Sequence, residues 1–320
     1  MHMAKLRVGV VGVGYLGKFH AEKYAAMPDV ELVGVVDRNF TRAREVAARH
    51  GTQAFDSHRE LLGRVEAVSV VVPTADHYAV SRDFLRHNVD LLIEKPMTTT
   101  LDQADELIAY AAAHGLLIQV GHLERFNSAV AALRDIVTAP MFIESHRLAT
   151  FKGRGTDVSV VLDLMIHDID IIASFVRSEI RTIRAAGIPV ISPEVDIANA
   201  RLEFENGCVA NVTASRISMK NERKIRLFQR DAYVSVDFSD HGITLIRKTG
   251  EHPEGIIPGM EIQNLCFTKG DALDDELKSF VRAVKRREEP EVTGQMGRDA
   301  LRIALDIMDQ IRSTNSRYFK

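Results

Sequence analysis

The segment Leu6-Arg7-Val8-Gly9-Val10-Val11-Gly12-Val13-Gly14-Tyr15-Leu16-Gly17 decides the reading of the first third of the chain. An apolar run suited to a buried strand passes directly into glycines at 12, 14 and 17, and the apolar spacing that follows is helical. In such a strand-turn-helix the first glycine permits a tight turn. The second lets backbone N–H groups approach a pyrophosphate, and the third lets the helix pack closely on the strand with its N-terminus facing the phosphates. Outward from this segment, Val/Ile/Leu-rich runs recur at 30–36, 67–72, 89–93 and 116–120. Amphipathic stretches at 15–27, 39–50, 75–88 and 100–114 lie between them, with openers such as Asn39 and Thr100 and stops such as Pro28, Gly51 and Gly115. Apolar strands alternating with helices predict a doubly wound parallel sheet, an α/β arrangement.

From about residue 125 the rhythm changes. A helix is expected at 127–137, a strand at 141–149, a Gly-containing loop at 151–157 and a helix at 158–175. Segments 181–191, 197–205, 208–217, 223–229, 232–237 and 242–248 then alternate apolar with polar residues between turn signals such as Asn206-Gly207. This predicts a large, mostly antiparallel open sheet with helices on one face, an α+β domain. A loop at 249–269 and helices at 271–287 and 293–314 close the chain. The expected division is a dinucleotide-binding domain at 4–121 and a substrate-binding and oligomerisation domain at 122–320.

The chain's 320 residues suffice for two cores. With 27% charged and 46% apolar residues and a formal net charge of −3, there is no global field to draw it onto nucleic acid or an anionic membrane. Cys208 and Cys266 stand apart without a CxxC or a His-rich neighbour, so neither a disulfide framework nor a metal site is expected. Met1-His2-Met3 leads straight into the first strand without a signal-peptide layout, and no apolar run is long enough to span a bilayer. The cytoplasm is the expected compartment.

Local motifs carry the chemistry. Asp37 stands 20 residues after Gly17 at the end of Val33-Gly34-Val35-Val36, where a carboxylate can accept ribose hydroxyls and repel a 2′-phosphate; this predicts NAD over NADP. Arg38 beside it would favour that phosphate if it turned inward. The cofactor set reaches from Gly12, Gly14, Tyr15, Leu16 and Gly17 through Asp37 and Arg38 to Pro73, Thr74 and His77, which follow the strand at 67–72, and to Glu94 and Lys95. In Leu91-Leu92-Ile93-Glu94-Lys95-Pro96, Lys95 stands at the carboxyl end of a buried strand, where ligands of open α/β sheets sit. There an ammonium can stabilise a developing alkoxide or move a proton. In Val161-Leu162-Asp163-Leu164-Met165-Ile166-His167-Asp168, Asp163 and His167 are one helical turn apart, so the carboxylate can orient the imidazole and raise its basicity.

Taken together, Gly12-x-Gly14-x-x-Gly17, Glu94-Lys95-Pro96 and Asp163-x-x-x-His167 resemble the glucose-fructose oxidoreductase / inositol dehydrogenase / rhizopine-catabolism family over nearly the whole chain. The resemblance implies a Rossmann domain, NAD-dependent oxidation of a sugar hydroxyl, and Lys95, Asp163 and His167 as the catalytic set. It also implies a homodimer or homotetramer formed through the second sheet. Gly121-His122-Leu123-Glu124-Arg125-Phe126-Asn127 and Ala214-Ser215-Arg216-Ile217-Ser218 narrow the resemblance. They are similar to bacterial dehydrogenases that oxidise UDP-N-acetylglucosamine at C3 on the way to an amide-linked lipid A.

That branch implies a UDP-sugar substrate held by His122, Arg125, Phe126, Asn127, Lys152, Arg154, Asp163, His167 and Arg216, and the cations, with Lys220, suit a pyrophosphate. Two other readings stand beside it. One is a dehydrogenase of a free polyol such as an inositol. The other, from a different class, is a non-catalytic dinucleotide-binding regulator, against which retention of Lys95, Asp163 and His167 speaks.

Overall fold

The computed structural model describes residues 4–318 except 152, 154–155, 239, 241, 249–258 and 267–269. Its packing forms two units, one from the residues up to Phe126 with Asp271–Leu301, the other from Asn127–Gly270 with the residues from Arg302 onward. The sequence reading places everything after residue 121 in a single second domain. The difference lies in the closing helices, whose amphipathic pattern announces an apolar face without saying which sheet it covers.

The first unit opens with β1 (Leu6–Val11), α1 (Gly17–Ala26), β2 (Val30–Val36), α2 (Phe40–His50) and β3 (Gln53–Phe55). β4 (Ala67–Val70), α3 (Thr74–Leu85), β5 (Asp90–Glu94), α4 (Leu101–Ala113) and β6 (Ile118–Gly121) follow. Six parallel strands lie in the order β3-β2-β1-β4-β5-β6, the doubly wound order with its switch point between β1 and β4. Asn39 and Thr100 cap α2 and α4 by accepting the amides of Arg42 at 3.2 Å and Gln103 at 3.4 Å, which satisfies first-turn donors that have no partner within the helix. The short β3 has no signal in the sequence beyond its apolar Phe55.

In the second unit a short helix α5 (Ser128–Leu133) precedes β7 (Phe142–Leu148). A π-helical turn, Val161–Met165, then runs into α6 (Ile166–Val176). β8 (Ile180–Ile188), β9 (Ile197–Phe204), β10 (Val209–Ser215), β11 (Glu222–Phe228), β12 (Ala232–Asp237), β13 (Gly242–Lys248) and β14 (Met260–Cys266) complete an eight-stranded sheet. Its order is β14-β13-β12-β11-β7-β10-β9-β8, antiparallel except for the β7/β10 pair. Alternating burial along β9 and β10 shows one face covered, where α6 packs on β7 and β10, and one half-exposed.

β14 falls where a loop is expected. Met-Glu-Ile-Gln-Asn-Leu-Cys is an edge strand held by backbone pairing to β13, and mostly exposed edges need no apolar alternation.

α7 (Ala272–Arg286) and α8 (Gly294–Tyr318) end the chain. α7 returns to the first unit, where Leu277, Phe280, Val281 and Val284 join Val8, Val10, Tyr24, Val35 and Leu92 on one face of the parallel sheet. The other face buries Val11, Val68, Val70, Phe84, Leu91, Ile93 and Leu107. Lys23 to Asp271 (2.5 Å) and Lys285 to Asp29 (2.9 Å) pin the two ends of α7. No helix among the described residues is long and apolar enough to cross a membrane.

Candidate active site

In the first unit a cleft of about 770 Å³ opens at the carboxyl ends of the parallel strands. Gly12, Gly14, Tyr15, Leu16, Asp37, Arg38, Pro73, Thr74, His77, Glu94 and Lys95 all line it. These are the residues expected to hold the cofactor, Gly17 alone excepted.

The three glycines have separable causes. A Cβ on Gly12 would lie 2.6 Å from the Val71 carbonyl oxygen, and its φ of +88° is one that L-residues rarely adopt. A Cβ on Gly17 would lie 1.8 Å from the Gly12 carbonyl oxygen, so this glycine serves the close packing of helix on turn. Gly14 differs: the nearest atom to its Cβ would be Arg42 Nη1 at 3.9 Å. Among the described residues nothing crowds that position, which leaves room for a dinucleotide laid along the turn. The residues therefore fit a dinucleotide, with the turn backbone and the start of α1 to hold its pyrophosphate.

Asp37 sits at the end of β2, its side chain 10% exposed. One oxygen accepts the Val13 amide at 3.1 Å and the other accepts the Asn39 amide at 2.8 Å, so the carboxylate is fixed against the glycine turn and retains lone pairs for ribose hydroxyls. Arg38 lies exposed at the rim of the cleft, where its guanidinium pairs with Asp76 at 3.0 Å. Its neighbour one turn on, Arg42, approaches Asp37 at 3.4 Å instead. Arg42, Ser57, His58 and Asp76 line the cleft without having been expected. Arg42 carries no sequence signal that separates it from Arg44 and Arg49 on the same helix.

His77 is buried and spans two loops, with Nδ1 3.0 Å from the Pro96 carbonyl and Nε2 2.8 Å from that of Val72. Burial pushes its pKa down, and the neutral ring can donate to one of the two carbonyls. It thereby ties the segment after Lys95 to the end of β4.

His122 and Arg125 are buried, and Phe126 packs against the core beneath the sheet.

In the second unit Asp163 lies in the π turn and His167 in the first turn of α6, both half-buried. The regular α-helix expected over 158–175 is thus widened at Asp163, and such turns recur at functional sites. Arg147 of β7 holds the next residue, Asp168, through paired bonds of 2.8 and 3.0 Å in the interior, which fixes the turn carrying His167 to the sheet.

Arg216 is buried, its guanidinium on the Val158 carbonyl and 3.8 Å from Asp196. It anchors the approach to the π turn from within the fold. Asn127 likewise spends its side-chain oxygen on the Ala129 amide, capping α5. Lys152 and Arg154 lie outside the described residues.

Comparison with known proteins agrees with this architecture. Residues 6–122 match the family model described as an oxidoreductase family with an NAD-binding Rossmann fold, and residues 135–234 match the GFO/IDH/MocA C-terminal domain. The chain belongs to the GFO/IDH/MocA oxidoreductase family. Within this family it is 39% identical over 306 residues to UDP-N-acetylglucosamine 3-dehydrogenase of Acidithiobacillus ferrooxidans, covering 95% of this chain and 97% of that protein. The solved structure of that enzyme superposes with a TM-score of 0.90 at 37% identity, over 97% of this chain and 99% of the other. A more distant family member, scyllo-inositol 2-dehydrogenase (NAD(+)) of Bacillus subtilis, is 26% identical over 90% of this chain and 89% of its own.

Proposed function

We propose that this chain oxidises the C3 hydroxyl of UDP-N-acetylglucosamine to a ketone, with NAD as the acceptor. The observation that carries the reading is 39% identity to the Acidithiobacillus enzyme across 97% of that protein's length, against 26% for the inositol dehydrogenase. NAD supplies the nicotinamide carbon that takes the hydride. The remaining work falls to the chain's own residues. His167 accepts the hydroxyl proton, Asp163 orients its ring, and the Lys95 ammonium stabilises the developing alkoxide. The glycine turn holds the pyrophosphate of the cofactor, and Asp37 its adenosine ribose.

The half-exposed face of the second sheet serves in this reading as the surface between copies. It carries Phe142, Phe228 and Tyr233 with ring centroids 5.8 and 4.9 Å apart, and sedimentation at micromolar concentration tests it, a monomer counting against it.

The deciding experiment follows NADH formation with UDP-N-acetylglucosamine, free N-acetylglucosamine and inositols. The UDP-sugar gives the highest kcat/KM, and removal of the nucleotide lowers it sharply, because remote binding energy organises the reacting centre. Equal or better turnover of an inositol overturns the proposal. Lys95→Ala and His167→Ala each lower kcat ~10²–10⁴-fold while NAD still binds. Near-normal turnover in either removes that residue from the catalytic set.

A further inference from the structure

Directly behind Lys95 the first unit buries a group of ionisable side chains that the proposed chemistry does not use. Glu94, the last residue of β5, has its side chain 12% exposed, and His20 of α1 reaches it with Nε2 3.3 Å from its carboxylate. His20 itself is fully buried. Glu276 of α7 is also fully buried, and neither of its carboxyl oxygens has a hydrogen-bond partner among the described residues. On the fourth side the chain makes room: a Cβ on Gly121 of β6 would lie 2.9 Å from the Glu94 carboxylate. Packing alone would be served better by apolar side chains in place of Glu94 and Glu276, since isolating carboxyl groups from water is costly.

We propose that His20 is a positioning residue for the reaction, holding the Glu94 carboxylate and with it the strand end from which Lys95 projects, and that the buried Glu276 sets the charge felt there. The cluster joins four elements: the helix after the glycine turn, the strand of Lys95, the strand leading to His122, and α7. Its charge balance rests on one anion. His20 beside Glu94, with Lys95 and His77, holds the Glu94 pKa down against burial. Burial and the nearby Glu94 charge push Glu276 well above the ordinary carboxylate range, so it stands as the neutral acid. The titratable groups around Glu94 and Glu276 are His20 and Tyr24 from α1, His77 from α3 and Lys95 from the end of the Glu94 strand. As pH rises through the Glu276 titration, a second negative charge appears beside Glu94 and the strand end loses its balance.

The proposal rests on the reading that Lys95 acts in turnover, and the experiment separates the two. Full-length His20→Ala lowers kcat by ~10²-fold, the scale of a displaced reacting group, with little change in NADH affinity by fluorescence titration. His20→Gln, which keeps an N–H toward Glu94, restores much of it. Glu276→Gln, which stays neutral and keeps the volume, moves the alkaline limb of the kcat profile to higher pH. A purely structural role would lower the melting temperature and leave both kcat and the pH profile in place. Wild-type kcat in His20→Ala together with an unshifted profile in Glu276→Gln overturns the proposal while an inactive Lys95→Ala leaves the catalytic reading intact. An active Lys95→Ala overturns that reading and this proposal with it.

Discussion

Arg147→Met is the sharpest test of how the second unit holds His167. The Arg147 and Asp168 side chains are 4% and 3% exposed and joined by two bonds, Nε to Oδ2 at 2.8 Å and Nη2 to Oδ1 at 3.0 Å. Methionine keeps most of the stem and removes the guanidinium, which leaves the Asp168 carboxylate in the interior without its counter-charge. Breaking such a buried pair costs about 3–5 kcal/mol, a large part of the ~5–15 kcal/mol that keeps a protein folded. At ~2–4 °C per kcal/mol for units of this size the melting temperature falls by roughly 6–20 °C. Arg147→Met/Asp168→Leu removes both charges and recovers most of the loss, because well-packed apolar residues substitute for a buried pair at little cost. Urea unfolding of wild type, Arg147→Met, Asp168→Leu and the double variant measures the cost and its recovery, and thermal scans measure the fall in melting temperature. A single-variant cost below ~1 kcal/mol, as for an exposed pair, refutes the reasoning, as does a double variant less stable than the single.

The glycine turn supplies a contrasting pair. Gly12→Ala destabilises the fold by more than ~1 kcal/mol, since alanine is strained at φ +88° and its Cβ meets the Val71 carbonyl; Gly14→Ala keeps stability within ~0.5 kcal/mol and weakens NAD binding. Thermal scans with NADH titration check both, and unaltered NAD affinity in Gly14→Ala contradicts the assignment. Asp37→Asn lowers the preference for NAD over NADP by ~10-fold or more, about 1.4 kcal/mol, and a wild-type enzyme using both cofactors equally removes the basis of that expectation. Asp196 gives an acid-stability signature. Burial alone would raise its pKa, but the amides of Ser192, Ile191 and Val190 and the Ser192 hydroxyl hold it at about 2, below its ordinary 3.8. A lowered folded-state pKa stabilises above the unfolded value and loses that contribution as pH falls from 3.8 through about 2, an amount of ~2 kcal/mol. The stability gap between wild type and Asp196→Asn therefore narrows from pH 5 to pH 2, and a gap constant across that range counts against it.

Legibility in the sequence followed the physics of each feature. The parallel sheet and the cofactor cleft were readable because Gly12, Asp37 and Lys95 all stand where a strand ends, and strand ends are marked by apolar runs. Arg42, His20 and Glu276 were not readable, since their roles arise from packing between elements distant in the chain and each looks like an ordinary helix residue. Arg216 and Asn127 are the converse case. A cation and an amide near an expected site invite a ligand, yet their polar atoms meet Asp196, Val158 and Ala129 within the fold. The π turn at Asp163 was invisible to periodicity, because one widened turn hardly changes the apolar stripe.

The return of α7 to the first unit has a consequence for how the molecule is born. The strands up to Gly121 leave the ribosome without Leu277, Phe280, Val281 and Val284, whose burial is worth roughly 6–12 kcal/mol by area. At ~5–20 residues per second, the interval between synthesis of Phe126 and Leu301 is about 10–35 s. Throughout it, the apolar patch that α7 later covers beside α1 and α2 lies open on the nascent parallel sheet. The first unit gains its last covering helix only near the end of translation, after the second sheet has emerged. A gene fragment ending at residue 126 would be expected to yield an aggregating protein rather than a minimal dinucleotide-binding module.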